Sequence, residues 1–183
     1  MKRQRSAILF VLIIAGAFAA AAQDCPSFRE IENFGCVSTK IYRGAQPTAQ
    51  GIKELARSGV KTIINLRDSD EKADIERKWA ETEGIKFYNI PFNNWLAPGD
   101  KKVAEVLKLI NAGGNQPVFI HCKRGADRTG TVVAAYRISH DGWTAKQARA
   151  EAKKYRFGWW QFWMDDFIGD YYEKFGKAAS SSK

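Results

Sequence analysis

The chain has 183 residues, a formal net charge of +9 and 45% hydrophobic residues. This length suits one domain with a buried core and is short for two, and the hydrophobic fraction excludes a disordered chain. The positive balance favours anionic partners, but the cations are dispersed and no nucleic-acid-binding motif accompanies them, so we expect no nucleic-acid partner.

Residues 1–22 have the pattern of a signal peptide. Basic residues Lys2, Arg3 and Arg5 precede an apolar run, residues 7–22, that ends in three alanines. The run is shorter than the roughly 20 residues that a spanning helix needs, although an uncleaved membrane anchor is the alternative. We predict cleavage before Gln23 and export to the periplasm or the medium, with residues 23–183 as a single domain.

The chain has three cysteines, Cys25, Cys36 and Cys122. An odd number in an oxidising compartment leaves one thiol unpaired. Because Cys25 and Cys36 lie close together near the mature N-terminus, we predict a disulfide between them and a free Cys122. The alternative is two unpaired, partly buried thiols.

Predicted strands and helices alternate along the rest of the chain. Thr48 and Asp100 have the character of helix N-caps. The strands are predicted at 37–43, 60–66, 85–91 and 117–121, and the helices at 48–58, 70–83, 100–110, 129–139, 144–155 and 160–175. This order predicts an α/β fold with a mostly parallel central sheet flanked by helices. In such sheets the ligand binds beyond the carboxyl ends of the strands, where the strand 117–121 delivers Cys122.

The segment that follows this strand reads His-Cys-Lys-Arg-Gly-Ala-Asp-Arg-Thr-Gly over residues 121–130. A turn between a strand and a helix lets backbone N–H groups converge on one anion, and the helix N-terminus adds partial positive charge. We therefore predict that a phosphate group binds to the residues that follow the cysteine: Lys123, Arg124, Gly125, Ala126, Asp127 and Arg128.

Three side chains of this segment suit phosphate-ester chemistry. Arg128 presents planar, bidentate donors to a phosphoryl group. The surrounding positive charge favours the thiolate of Cys122, which is the nucleophilic form. The hydroxyl of Thr129 is placed to donate to the sulfur when the sulfur departs. Asp127 would oppose the substrate charge, so its side chain is interpreted as structural or as the partner of a nearby cation.

The segment 121–130 resembles the His-Cys-x5-Arg-Thr/Ser-Gly signature of the protein tyrosine phosphatase superfamily, closest to its small dual-specificity-like branch. Tyr42-Arg-Gly-Ala-Gln-Pro47 and Ile64-Asn-Leu-Arg67 are also similar to segments of atypical bacterial, plant and fungal members. The resemblance covers residues 34–175 and implies a phosphotyrosine-phosphatase-like fold. It also implies hydrolysis of phosphate monoesters through a phosphocysteine intermediate.

The resemblance implies a general acid, an aspartate upstream of the cysteine. Asp100 is the favoured residue because it is the only carboxylate between Phe87 and Ala104. The alternative for Asp100 is a helix N-cap, and Asp68 is the second candidate for the acid. His121 is expected to order the loop. With two histidines and no clustered ligands we expect no metal and no cofactor.

Two surface features bear on the substrate. Lys123 and Arg124 make the rim of the loop basic, which suits inositol phosphates or phosphoinositides, or simply faces solvent. In the aromatic C-terminal segment, one helical face is expected in the core, while Trp159 and Phe162 fall off this face and are available to a partner or a membrane. That core face consists of Trp160, Trp163, Phe167 and Tyr171. Arg43 and Arg67 end strands and are expected to form ion pairs.

The predicted function is therefore a phosphatase acting on phosphotyrosine, phosphoserine or phosphothreonine in proteins. Two alternatives remain at this point. One is an inositol phosphate or phosphoinositide phosphatase with the same chemistry. The other is a module that binds phosphate without catalysis, which the combination of Cys122, Arg128 and Thr129 argues against.

Overall fold

The computed structural model describes residues 25–177 and contains one five-stranded sheet. The strands lie in the order β1-β2-β5-β3-β4, and every pair except the antiparallel β1–β2 is parallel. Their bounds are β1 Gly35–Ser38, β2 Ile41–Ala45, β3 Thr62–Asn65, β4 Lys86–Asn89 and β5 Val118–Cys122. The predicted α/β class with a mostly parallel sheet is confirmed.

Six α-helices within residues 25–177 connect and cover the strands. Three of them are capped by a side chain: the predicted cap Thr48 accepts from Gly51 N at 3.1 Å, Asp70 accepts from Ala73 N at 3.0 Å, and Thr144 forms a capping box. The helices are α1 Ala49–Arg57, α2 Glu71–Thr82, α3 Asp100–Asn111, α4 Asp127–Ser139, α5 Ala145–Lys154 and α6 Phe162–Tyr171. A π-helical turn, Tyr172–Gly176, continues α6.

Two predicted boundaries were wrong. The segment 37–43 is a hairpin and not one strand, because the chain reverses at residues 39–40, where Ser38 Oγ accepts from Lys40 N at 3.2 Å. Asp100 is the first residue of α3 and not its cap; Gly99 holds the cap position without a side-chain hydrogen bond. A carboxylate inside the first turn still interacts favourably with the helix dipole.

The core lies on both faces of the sheet. One face packs against α1 and α2 through a cluster that includes Ile52, Ile63 and Phe119. The other face packs against α3, α4 and α6, and α4 is buried along most of its length. Because the sheet is sandwiched between helices, its strands are buried on both sides, and only their ends are open to a ligand.

The aromatic C-terminal segment contributes less to the core than predicted. Phe167 and Tyr171 are buried, and Met164 and Ile168 complete the stripe. Trp160 is 42% exposed, so its assignment to the core was wrong. It precedes α6, so the helical spacing that was used to place it does not apply there.

The predicted signal peptide, with cleavage before Gln23, lies outside the described residues. Within residues 25–177, no helix has the length and hydropathy needed to cross a bilayer.

Candidate active site

Cys122 lies at the carboxyl end of β5, the central strand of the sheet. It pairs in register with Ala45 at the end of β2, while its neighbour His121 pairs with Asn65 at the end of β3. The thiol is free and only 3% exposed. It opens onto a cavity of about 350 Å³ that is lined by Asn94, Cys122, Lys123, Arg124, Asp127 and Arg128.

The loop after Cys122 presents unpaired backbone donors. Within residues 25–177, the backbone N–H groups of residues 123–128 donate no hydrogen bond to the protein. Gly125 has a φ of +65°, which turns the chain tightly. Buried N–H groups in proteins are almost always paired, so a row of unpaired ones beside a cavity indicates a binding site for an anion.

The guanidinium of Arg128 is held beside the same cavity. Its Nη1 lies 3.4 Å from the carbonyl of Leu66 and 3.3 Å from that of Phe92, both just beyond strand ends. Arg128 is 6% exposed, and its buried Nε has no acceptor in the described part of the chain. Two carbonyls thus orient the planar group, and a donor remains for a phosphoryl oxygen.

Thr129 is completely buried, and its hydroxyl has no hydrogen-bond partner within residues 25–177. It lies in the first turn of α4, next to Arg128. An unpaired buried hydroxyl costs free energy, so its retention fits a group that donates to the sulfur or to a bound anion.

Behind the nucleophile lies a buried network that the sequence analysis did not find. His121 Nε2 is 2.7 Å from Glu76 Oε1, and both side chains are completely buried. Glu76 Oε2 accepts from Gln46 Nε2 at 2.8 Å and from Asn65 Nδ2 at 3.1 Å. His121 Nδ1 lies 3.3 Å from the carbonyl of Cys122. The network therefore fixes the end of β5 from which the thiol projects.

A sequence signal for Glu76 does exist. The buried residues of α2 are Ala73, Glu76 and Ala80, which share one helical face. A glutamate on the buried stripe of an amphipathic helix indicates a buried polar partner, because an unpaired buried carboxylate is very costly. The partner itself was not visible from the sequence.

Two further residues hold the loop from outside. Arg43, expected in an ion pair, instead donates from Nη2 to the carbonyl of Gly125 at 2.7 Å and stacks 3.9 Å from the ring centre of Tyr155. Burial lowers the pKa of Arg43 to about 10. Asn33 Nδ2 donates to the carbonyls of Arg124 and Tyr155 at 3.1 and 2.9 Å.

Two of the charged side chains of the loop, Arg124 and Asp127, have hydrogen-bond partners within the protein. Arg124 Nη2 donates to Asp127 Oδ2 at 2.6 Å, and Gly158 N donates to Asp127 Oδ1 at 2.8 Å. The carboxylate of Asp127 thus serves as the partner of a nearby cation. Lys123 is exposed at the cavity edge, and Ala126 is buried at the start of α4.

The two candidate acids occupy different places. Asp100 Oδ2 accepts from Lys174 Nζ at 2.9 Å, and Asp100 is absent from the cavity lining. The loop residue that reaches the cavity is Asn94, whose amide is no general acid. Asp68 Oδ2 lies 3.8 Å from Arg128 Nη1, and its side chain is 72% exposed. The structure therefore brings Asp68, and not Asp100, next to Arg128.

Cys25 and Cys36 form a disulfide, which leaves Cys122 as the free thiol among the described residues. Residues 25–177 contain no cluster of three or more His, Cys, Asp or Glu side chains arranged for a metal ion. The chemistry available to the cavity is that of a thiol, a guanidinium and backbone amides.

Comparison with known proteins identifies the family. The family described as DSP-PTPase phosphatase fused to NAD+ kinase (PTP-NADK) matches residues 23–168. The dual specificity protein phosphatase TpbA of Pseudomonas aeruginosa is 30% identical over 161 residues, covering 84% of this chain and 71% of TpbA. A TpbA crystal structure superposes with a TM-score of 0.67 at 27% identity, covering 89% and 97% of the two chains.

A plant relative is similar over a shorter stretch. The inositol diphosphatase DSP2 of Oryza sativa is 33% identical over 109 residues, covering 57% of this chain and 53% of DSP2. The family match spans most of the chain and includes the Cys122 loop. The chain therefore belongs to the DSP-PTPase family and is a cysteine-based phosphatase of the protein tyrosine phosphatase superfamily.

Proposed function

We propose that Cys122 attacks the phosphorus of a phosphate monoester within the loop 123–128. The sulfur–phosphorus bond forms as the bond to the leaving oxygen breaks, which gives a phosphocysteine. Water then attacks the phosphorus, and the sulfur departs with a hydrogen bond from Thr129. The row of unpaired loop amides beside the free Nε of Arg128 is the observation that carries this proposal, because these donors match the oxygens of a transferring phosphoryl group.

The leaving oxygen needs a proton, and we propose Asp68 as the donor. Its support is the 3.8 Å distance to Arg128, which orients the phosphoryl group. Asp100, which the sequence favoured, is the second candidate, since it follows the loop that carries Asn94 into the cavity. After the first step the same carboxylate is free to accept a proton from the attacking water.

Asparagine substitutions separate the two acids. Removing the acid lowers kcat on an alkyl phosphate by about a hundredfold or more. It also removes the alkaline fall of the pH–rate profile, because that fall reports deprotonation of the acid. We expect both effects in Asp68→Asn and neither in Asp100→Asn. The reverse result assigns the role to Asp100, and two unaffected profiles exclude both residues.

The enzyme proposal is tested with Cys122→Ser and p-nitrophenyl phosphate. We expect wild type to turn over the ester and Cys122→Ser to fall to the background rate, because a serine hydroxyl is a poor nucleophile without an adjacent base. Thermal unfolding and phosphate binding of the variant serve as controls for its fold. Equal rates in the two proteins would leave only phosphate binding as the function of the loop.

We propose phosphorylated proteins as the substrate class, with inositol phosphates as the second candidate. TpbA, named a dual specificity protein phosphatase, supports the first. The exposed Lys123, the half-exposed Arg124 and the name of DSP2 support the second. The test compares kcat/KM for phosphotyrosine, phosphoserine and phosphothreonine peptides with kcat/KM for inositol phosphates. A preference of about tenfold or more for the inositol phosphates would overturn our order.

We also propose that residues 1–22 direct export and are removed, leaving residues 23–183 as one catalytic domain. The Cys25–Cys36 disulfide supports this, because such bonds persist mainly in oxidising compartments. Intact-mass analysis of protein from cell fractions should find a chain that begins at Gln23 in the periplasm or the medium. A mature protein that keeps residues 1–22 would overturn the proposal.

A further inference from the structure

A set of large apolar side chains protrudes around the active-site cavity, and we call it the aromatic rim. Its members come from the loop before α3 and from the segment that leads into α6. They are Trp95 (73% exposed), Leu96 (62%), Trp159 (89%), Trp160 (42%) and Phe162 (63%). Such exposure of apolar side chains at one place marks an interaction surface.

Contacts connect the rim to the cavity on two sides. Asn94, which lines the cavity, precedes Trp95, and the ring of Trp95 lies 6.3 Å from that of Trp163. Trp163 in turn meets Phe162 at 4.7 Å. On the other side, the guanidinium of Arg124, another lining residue, lies 5.5 Å from the ring centre of Trp160. Trp160 continues to Trp159 at 5.9 Å. The rim therefore borders the cavity that holds Cys122.

Neither the fold nor the proposed chemistry accounts for this exposure. The core contacts of α6 are made by other residues, such as Phe167 and Ile168. Cys122 and Arg128 are oriented by β5, by α4 and by carbonyls at strand ends. Two strongly exposed rim residues, Trp159 and Phe162, contribute to neither arrangement.

Cations accompany the rim. Lys153 and Arg156 line a depression together with Trp159, and Lys123 lies at the cavity edge. No ion pair within residues 25–177 involves any of these three cations. Two of the carboxylates nearby are paired with other cations, whereas the exposed Asp166 of α6 forms no ion pair within residues 25–177.

The two paired carboxylates near the rim are those of Asp127 and Asp165. Asp127 accepts from Arg124, and Asp165 lies 3.0 Å from Arg149 Nε. The surface around the cavity therefore combines protruding aromatic tips with unpaired positive charge. A partner that matches this surface in charge and polarity has an anionic surface with an apolar layer beneath it.

We propose that the aromatic rim and its cations dock the phosphatase on an anionic membrane surface, with the active site facing the lipid headgroups. Tryptophan favours the interfacial zone of a bilayer, since its ring is apolar while its N–H remains hydrated. A lysine or arginine near an anionic leaflet strengthens the binding electrostatically. Separate tips exposed by 62% or more suit insertion into a fluid surface better than a fit to the contours of a protein.

The test is co-sedimentation of the intact protein with vesicles of phosphatidylcholine alone or with about 30% phosphatidylglycerol. We expect wild type to bind the anionic vesicles and to be released by salt, because the electrostatic part is screened. The double variant Trp159→Ala/Phe162→Ala should bind about tenfold more weakly, because two inserted side chains are lost. Its matched control is Trp79→Ala, which removes a 39% exposed tryptophan from α2, a helix on the opposite face of the sheet.

Charge is tested separately. Lys153→Glu/Arg156→Glu should abolish the preference for anionic vesicles, whereas the control Lys53→Glu/Lys61→Glu, with the same change of net charge at distant exposed positions, should retain most of it. All of these variants should hydrolyse p-nitrophenyl phosphate at the wild-type rate, so failure of docking and failure of the proposed catalysis are distinguishable.

Three results would overturn the proposal. One is the absence of wild-type binding to anionic vesicles. Another is unchanged vesicle binding in Trp159→Ala/Phe162→Ala. The third is wild-type protein that ignores vesicles while the same double variant loses activity on a phosphopeptide and not on p-nitrophenyl phosphate. That last result would assign the aromatic rim to a protein substrate.

Discussion

Arg43 holds the phosphate-binding loop at some cost to the fold. Its guanidinium is 1% exposed, and its Nε and Nη1 have no hydrogen-bond partner within residues 25–177. Burial lowers its pKa from the usual value to about 10, because the fold disfavours the charged form. What the charge provides is a hydrogen bond to the carbonyl of Gly125 and a stack on Tyr155. This pattern indicates retention for loop geometry and not for stability.

Replacing Arg43 by Met should therefore separate activity from stability. We expect kcat on an aryl phosphate to fall about tenfold or more, because the loop loses an anchor. The melting temperature should stay the same or rise, because a buried, partly unpaired cation is removed. Steady-state kinetics and thermal unfolding at pH 7 measure both. The control is Arg43→Lys, which keeps a positive charge but lacks the planar guanidinium. An unchanged kcat in Arg43→Met would contradict the role of Arg43 as an anchor of the loop.

The same residue predicts a pH dependence with a definite sign. The folded pKa of about 10 lies below the ordinary pKa that Arg43 has in the unfolded chain, so between these two values the unfolded chain binds more protons. The contribution of Arg43 to the free energy of unfolding therefore rises with pH in that window. Below the window Arg43 is charged in both states, and the full penalty of burying its charge is present. Arg43→Met should lack this contribution. Chemical denaturation at pH 9 and pH 11 gives the change of the free energy of unfolding with pH for wild type and for Arg43→Met. An equal change in the two proteins would contradict the burial argument.

At the scale of elements, the phosphate-binding loop fits against the hairpin strand β2. A Cβ at Gly125 would lie 2.6 Å from Ala45 N and closer still to Gly44 C and O. The left-handed φ of Gly125 adds strain for any other residue. Loop and strand must therefore touch through backbone alone.

Gly125→Ala should for this reason displace the loop. We expect about 1–3 kcal/mol of lost stability and at least a tenfold loss of kcat/KM, because the loop amides no longer converge. The control is Gly99→Ala, where an added Cβ meets no atom within 4 Å. Urea denaturation and steady-state kinetics measure the two effects; wild-type values for Gly125→Ala would contradict the close contact.

The junction of α4 and α5 depends on Arg137. It donates to Asp141 Oδ2 at 2.7 Å and to Glu151 Oε1 at 2.7 Å, which ties the end of α4 to α5. Burial alone raises the pKa of Asp141, but hydrogen bonds from Arg137 and His140 outweigh it and hold that pKa below 3.8. A carboxyl with a lowered folded pKa adds stability above its unfolded pKa, and this is lost as pH falls through the folded pKa.

Asp141→Asn should lower the free energy of unfolding at pH 7 by at most about 1 kcal/mol, since the pair is partly exposed. The difference from wild type should vanish as the pH falls through the lowered folded pKa of Asp141. Urea denaturation from pH 7 to pH 2 measures it. A difference that persists at pH 2 would show that the asparagine acts through packing and not through charge.

For the whole molecule, the disulfide joins the N-terminal segment to β1, at the edge of the sheet farthest from β4. Its closed loop is short, so the chain-entropy model gives about 3 kcal/mol of stabilisation. Cys25→Ser/Cys36→Ser should lower the melting temperature accordingly and leave kcat unchanged, because Cys122 remains the free thiol. A loss of kcat at temperatures where the variant is folded would contradict this independence.

Sheet topology decides which strand ends meet. β5 lies between β2 and β3, so the carboxyl ends at Ala45, Asn65 and Cys122 lie side by side. Parallel pairing places all three at the same edge, and α4 leaves from that edge with its N-terminus at the loop. Residues on different strands therefore share one cavity.

The sequence by itself determined the family signature, the alternation of strands and helices, and the helix cap Thr48. These signals are local: a cap is a hydrogen bond over three residues, and the phosphate loop is one contiguous segment. Cys122, Arg128 and Thr129 could be chosen because their roles depend on neighbours in the chain. The break at residues 39–40 was missed although Ser38, Thr39 and Lys40 are three consecutive polar residues, which interrupt the alternation expected of one strand.

Only the tertiary structure decided the contacts between distant segments. Arg43 and Gly125 are 82 positions apart, and Glu76 reaches His121 only after α2 packs on the sheet. The same holds for Asp68, which packing brings beside Arg128 while Asp100 turns to Lys174. A side chain's type fixes what it is able to donate or accept, but the distance to its partner depends on how the elements pack, which no local pattern encodes.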